Sequence, residues 1–327
     1  MSALPLLAMR ILGRPQMVMP EKLATILSLL DGRIGIDASN LSALAGAMPT
    51  ISRPQIGNKS NPNYTLIGGV AVIGVVGTLV ARGDVVTNSS GVLSYERLQS
   101  QIRYALHDDA VTAILLDIDS PGGEATGAFE VSDFIRYACA KKPIVSSVSG
   151  LCCSAAFAIA ASTTKIVATK SSLIGSVGVL AVHIDKSRKL AAEGLTPTMI
   201  FAGDRKTDGN VFEKLSTGAR NALQFEVDKL MGMFIETVAA GRPKLSPEAI
   251  RAQQAAVYMG EDALAAGLID EIASFEDAIR ELAALHPVAK EKAASRPMFS
   301  IAQADLDRAR AEGVRAGAAA AIARVKA

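Results

Sequence analysis

The sequence predicts an α/β fold with mostly parallel strand pairing, and three observations carry that reading. Short apolar runs alternate with amphipathic helical patterns along most of the chain. Two strand–turn–helix passages stand back to back between Leu115 and Ala161. Half of the 327 residues are apolar, yet only 4% are aromatic and Trp is absent, so the core must be built from Val, Ile, Leu and Ala. That length is enough for one large or two ordinary domains.

Residues 1–62 read as an accessory arm and linker. Leu23, Ile26, Leu27 and Leu30 fall on one face of a short helix from Pro20. The stretch 49–63 is rich in Pro, Asn and Ser and reads as a tether. The arm is either a docking helix or a segment that packs on a neighbouring protomer or blocks the site before activation. The core domain spans 63–286. Val70 to Val80 gives one or two buried strands broken by Gly, and Ser94 to His107 a helix with Leu98, Ile102 and Leu106 on one face.

Next come the two passages. Ala113–Ile118 is a strand leading into Asp119-Ser120-Pro121-Gly122-Gly123 and a helix over about 125–140. Pro143–Val148 is a strand leading into Ser149-Gly150 and a small-residue helix opening near Cys152. Lys165–Thr169 is a strand, 171–178 a turn, Val177–Ile184 a buried strand, and Asp185–Glu193 a helix with Gly194 as its C-cap. Thr196–Ala202 reads as a strand, 203–210 as a polar loop, and Val211–Ala240 as a long helix. Pro247 opens a further helix at its first position, and 260–272 gives a helix, a Gly cap and a short strand. The tail, 287–327, is Ala-rich and basic, with a helical pattern from Phe299 to Lys326 and too few large apolar residues to bury much alone.

Composition excludes several classes. The three cysteines, Cys139, Cys152 and Cys153, have no CxxC spacing, so neither a disulfide framework nor a zinc site is expected. The most apolar window, Leu66 to Val80, falls short of the roughly 20 residues that a membrane span needs. The opening residues lack a basic region followed by a clean apolar one, so no secretory signal is expected. A formal charge of +2 gives no nucleic-acid signal.

A buried strand feeding a Gly-rich turn and a helix N-terminus leaves free backbone N–H groups at one point, where they can hold a phosphate or an oxyanion. Ser154 opens the second helix, within reach of a ligand held by the first turn. A serine nucleophile needs a base. His107 and His286 read as surface residues. His183 lies in an apolar strand pattern and reads as a core or interface residue. Nothing therefore supports a Ser–His–Asp triad. A desolvated lysine is the other option, because burial penalises the ammonium. Lys206, between Gly203 and Gly209, is the candidate. Cys153 is a rival nucleophile in principle and is expected to be buried packing. One of Asp117 and Asp119 is expected to cap the SPGG turn. Ser176 could bond a substrate backbone, orient Lys206 or simply stabilise its turn. Glu124 would be the acid/base if the chemistry were that of an acyl-CoA enzyme.

Five ordered motifs give the chain a family resemblance: the Gly68-Gly69 strand, DIDSPGG at 117–123, SGxxxSAA at 149–156, GSVGV at 175–179 and AGxxKxDGN at 202–210. Residues 64–275 resemble the signal-peptide-peptidase-A type of serine peptidases, which have the ClpP/crotonase fold, a spiral of β-β-α units. The resemblance implies a Ser/Lys dyad on Ser154 and Lys206, with oxyanion donors at the N–H groups of Gly123 and Ala155 and support from Gly122 and Ser176. It also implies a homo-oligomer, since Ser and Lys of one site can come from adjacent subunits.

Within that family the chain is most similar to lambda-type phage capsid-maturation proteases, through ILGRPQMVMPEKLATIL, HIDKS at 183–187, the DGN after the lysine and the Ala-rich tail. The implied substrates are scaffold, capsid or portal proteins, cut within assembling proheads in the host cytoplasm. The tail is then scaffold-like or a docking segment. No metal, organic cofactor, nucleic acid or membrane is implied. The alternatives are a soluble bacterial signal-peptide-peptidase-like protease, a crotonase-type acyl-CoA enzyme using Glu124, and an inactive head-assembly protein.

Overall fold

A computed structural model of the chain describes residues 14–23, 63–82 and 92–287. Most of the expected tether, the arm helix beyond residue 23 and the tail helix lie outside the described residues.

The fold grows from a central run of parallel strands. β3 (Val70–Val76) pairs in register with β6 (Ala113–Ser120), from Val70 opposite Ala113 to Val76 opposite Asp119. β6 in turn pairs with β8 (Ile144–Cys153). The first four residues of β6 are all buried, as a strand covered on both faces requires. β8 bends at Ser149-Gly150. Its first half pairs in parallel with β9 (Lys165–Ala168), and its last three residues pair with β10 (Leu173–Gly175). β2 (Thr65–Ile67), β11 (Val257–Met259) and β12 (Glu271–Ile272) complete this eight-stranded sheet.

A second sheet holds β1 (Gln16–Val18), β7 (Gly122–Glu124), β4 (Thr78–Val80) and β5 (Val92–Ser94), in that order. β4 is parallel to β5 and β7, whereas β1 is antiparallel to β7. The architecture is α/β with mostly parallel pairing, as the sequence predicts.

Helices close the core. α1 (Tyr95–His107) starts at Ser94, whose hydroxyl accepts from the Arg97 N–H. α2 (Ala128–Cys139) follows the Gly-rich turn. α3 (Ala155–Ala161) is fully buried along its length, and five of its seven residues are Ala, which lets it lie close to its neighbours. α4 (Ser187–Ala192) ends at Gly194, which is left-handed and closes the helix with the Leu195 N–H on the Leu190 carbonyl. α5 (Thr217–Gly241) is capped by Ser216, α6 (Pro247–Ala252) by Ser246 ahead of its Pro, and α8 (Phe275–Leu285) by Ser274. Between the last two lies α7 (Gly260–Ala265). Gly241 is required where α5 meets α3, because a Cβ there would lie 1.7 Å from the Ala161 carbonyl oxygen.

Several expected elements differ. The strand expected over Val177–Ile184 is reduced to one bridge at Leu180, to Gln16. Left-handed backbone at Gly175 and Ser176 turns the chain out of the sheet before that apolar run begins. Thr196–Ala202 forms no strand either, and Ile200 is 97% exposed. The long helix starts six residues later than expected, at its Ser216 cap. The expected turn over 171–178 contains β10, and the turn expected at Ser149-Gly150 is a bend within β8. No helix among the described residues is long and apolar enough to cross a membrane.

Phe157 is the largest side chain on α3 and is fully buried. Phe157→Ala is expected to lower unfolding free energy by about 3–5 kcal/mol. Chemical denaturation of the two proteins checks this.

Candidate functional site

Ser154 stands between β8 and α3 with φ 56° and ψ −122°. A side chain rarely adopts this backbone, and such strain persists only where the surroundings impose it. Here β8 ends in pairing with β10, and the Ser154 N–H donates to the Gly175 carbonyl at 2.8 Å. On its other side, the Ser154 carbonyl accepts from Phe157 and Ala158 and starts α3. The residue sits at a sharp strand-to-helix corner, the backbone geometry that nucleophilic serines use. Its hydroxyl donates a long 3.5 Å bond to the Gly178 carbonyl. Among the described residues, the Ala155 N–H just beyond it has no acceptor.

The DIDSPGG turn lies directly against this corner. A Cβ on Gly122 would sit 2.9 Å from the Ser154 Cβ and 2.3 Å from the Met17 carbonyl oxygen, and Gly122 is left-handed at φ 97°. A Cβ on Gly123 would overlap the Leu79 carbonyl oxygen at 1.8 Å. Both glycines are therefore steric requirements of the packing. The Ser120 hydroxyl donates to the Gly77 carbonyl at 2.6 Å and accepts from the Gly122 N–H at 3.2 Å. Ser120 holds the turn. Asp119 instead accepts from the Leu151 N–H at 2.9 Å and lies against Gly150, where a Cβ would be 2.4 Å from its carboxylate. That bond crosses the register shift between β6 and β8 and sets where β8 bends.

Ser176 also has positive φ, at 53°, and its N–H donates to the Ala256 carbonyl at 2.8 Å. Two further left-handed residues, Gln254 and Ala255, brace this stretch, and a Cβ on Gly178 would touch that of Ala255 at 2.7 Å. Among the described residues the Ser176 hydroxyl has no hydrogen-bond partner. Gly122, Gly123, Ala155 and Ser176 are thus gathered around Ser154.

No bond joins Lys206 to them. It lies in the exposed loop after Phe201, and among the described residues its amine has neither hydrogen bond nor ion pair. The loop is tied to the segment before α4. The His183 Nε2 donates to the Asn210 carbonyl at 2.7 Å, and the Lys186 N–H donates to the Val211 carbonyl at 2.8 Å. His183 is thus a half-exposed brace of the lysine loop, not a core strand residue. This whole region carries exposed apolar side chains: Leu195, Ile200, Phe201, Phe212 and, on α5, Phe225.

The rival chemistries are absent from the corner. Cys153 is buried, its thiol donates to the Leu173 carbonyl at 3.4 Å, and burial pushes it up to about 12. Cys152 is likewise raised by burial. Glu124 turns its carboxylate to the Ala81 N–H at 2.7 Å. His107 is held on its own helix by the Arg103 carbonyl. Among the described residues no group of three His, Cys, Asp or Glu could hold a metal.

Sequence reasoning missed the Asp119 bond, the brace at Gln254-Ala255 and the place of β1 beside the Gly turn. Only β1 left a local signal, a short apolar triplet bounded by Pro15 and Pro20.

Residues 137–289 match the sequence profile of Peptidase family S49, and residues 75–174 match that of Clp protease. Head-tail preconnector protein GP5 of Enterobacteria phage P21 is 38% identical over 220 residues, covering 67% of this chain and 44% of that protein. Capsid assembly protease C of Escherichia phage lambda is 32% identical over 285 residues, covering 84% and 64%. Protease 4 of Salmonella typhi is 29% identical over 215 residues, covering 65% and 35%. The chain spans less than two thirds of the length of these relatives.

Two outcomes check the geometry. Ser154→Gly is expected to raise stability by about 1 kcal/mol, because glycine adopts the observed backbone without strain; thermal and urea unfolding read it. Cys153 in the native protein is expected to resist iodoacetamide at pH 8 and to react on unfolding, because its thiol stays protonated well above that pH; intact mass reads the adduct.

Proposed function

We propose that the chain is a serine-type endopeptidase with its peptidase domain over 63–286, a reading supported by the match of residues 137–289 to Peptidase family S49. Ser154 attacks a peptide carbonyl, Lys206 takes the hydroxyl proton, and water hydrolyses the acyl-enzyme. The N–H groups of Gly123 and Ala155 stabilise the oxyanion. The observation that carries this reading is the strained Ser154 corner packed against the Gly122-Gly123 turn, beside an unpaired Ala155 amide.

Lys206 reaches Ser154 from a neighbouring protomer. Its amine makes no bond among the described residues, its loop follows solvent-exposed Ile200 and Phe201, and exposed apolar side chains of that kind mark an interaction surface. A protomer seated there would bury the amine, remove its hydration and favour its neutral, basic form. Ser176, whose hydroxyl has no partner among the described residues, orients the incoming amine. The substrates are phage head proteins (scaffold, capsid or portal) cut within proheads, a reading supported by similarity to the lambda capsid assembly protease. The tail over 287–327 serves as a scaffold-like or docking segment.

Co-expression with neighbouring head proteins, read by intact mass, tests the dyad. Wild type is expected to trim a partner or itself, and Ser154→Ala and Lys206→Ala each to lose at least about 10³-fold in rate. Co-assembly of the two variants is expected to restore about a quarter of the sites, because random neighbours pair an intact serine with an intact lysine at that frequency. Cleavage by Lys206→Ala at the wild-type rate would sink the dyad. Two silent variants that stay silent when mixed would place both residues of a site on one chain.

A further inference from the structure

The strand slot beside Ser154 is already filled. β1 lies between β7 and Leu180, and both contacts are backbone pairing. The Gln16 N–H donates to the Leu180 carbonyl at 2.7 Å, and the Gln16 carbonyl accepts from the Leu180 N–H at 3.0 Å. Strand alternation then turns the N–H and carbonyl of Met17 the other way, toward its register partner Gly123. The Met19 N–H, donating to the Pro121 carbonyl at 3.0 Å, continues that phase. The Met17 carbonyl therefore faces the amide that an oxyanion would need. It crowds the same point beside Gly122 as the Ser154 Cβ does. Ser154 is accordingly only 1% exposed.

We infer that Gln16–Val18 is an intramolecular occupant of the site's strand slot, which an extended peptide can enter only after this segment leaves. The inference rests on the peptidase reading for the identity of the visitor, and on the pairing alone for the occupancy. A three-residue strand bounded by Pro15 and Pro20 adds few ladder bonds, so it can be released without dismantling the sheet. A tethered segment nevertheless competes at an effective concentration on the order of mM, enough to exclude a dilute peptide of equal intrinsic affinity. Met17 is fully buried in the core cluster, so its side chain fills a real pocket at the slot. The slot thus takes an extended chain with a long apolar residue flanked by backbone that can pair on both edges.

Two full-length variants test this. In the release variant, Gln16→Pro with Met17→Asp removes a ladder donor and puts a charge in the pocket. In the locking variant, Gln16→Cys with Glu124→Cys joins residues that face each other across β1 and β7. The probe is a fluorescent peptide of residues 13–22, read by anisotropy. It is expected to bind the release variant at least tenfold more tightly than wild type, about the competition removed with the arm. It is expected to bind the reduced locking variant more tightly than the oxidised form. Hydrolysis of β-casein should rise in the release variant and fall at least tenfold when the lock is oxidised, returning with reductant.

Equal peptide binding by wild type and a release variant with a native melting transition would overturn the occupancy. If the release variant fails to fold, an oxidised lock that binds peptide and cuts casein as well as its reduced form overturns it instead. If peptide binding follows the arm while no form cuts casein, the occupancy stands and the peptidase reading falls.

Discussion

The site depends on a single close approach, that of the Gly122-Gly123 backbone to the Ser154 corner. Three chain segments meet there with no room for a Cβ: Leu79 on one side, the Ser154 turn on another and Met17 on a third. An arrangement this tight fixes the amides to within the space of a methyl group. That precision is what an oxyanion donor set requires, since hydrogen bonds to a developing charge weaken steeply with misplacement. The strain at Ser154 is maintained by the same contact, with β8 anchored to β10 before the corner and α3 buried after it.

That approach is held from behind by polar bonds that do no chemistry. Asp119 fixes Leu151 across the register shift and so sets the length of β8 before its bend. Ser120 ties the turn to Gly77. Gln254 and Ala255 spend left-handed backbone on bracing Ser176 to Gly178, whose last carbonyl receives the Ser154 hydroxyl. Asp119 and Ser120 are polar side chains satisfied by backbone, so they transmit position without leaving an unpaired group buried.

The described chain divides into a closed part and an open one. Up to Gly175 the strands and helices bury one another, and the core clusters are continuous. From Ala181 to the first turns of α5 the side chains are half or fully exposed, apolar ones included, with Ala219 the buried exception. The lysine loop belongs to the open part and the serine to the closed part. On the proposed reading, this split leaves the nucleophile and oxyanion donors in the closed part and the base on a surface that solvent covers in a lone protomer.

The sequence alone determined the α/β class, the Gly194 and Pro247 helix ends and the strands that lead into the two turns, whereas the grouping of Ser154 with Gly122, Gly123, Ala155 and Ser176 came from the family resemblance. Each of the former is a local property: a Pro where a helix opens, a Gly where a turn demands it, an apolar run long enough for a strand. Lys206 was legible as a candidate residue in a polar loop. The tertiary structure decided that Val177–Ile184 would leave the sheet, that Asp119 would hold β8 and that His183 would brace the lysine loop. It alone put Gln16–Val18 beside Gly123. These outcomes depend on which backbone edge is free and near, and a run such as VGVLAVHI carries the same apolar pattern whether or not a partner edge exists. Strand pairing joins residues more than a hundred positions apart, so its register is written in the packing of the whole chain and not in any one stretch of it.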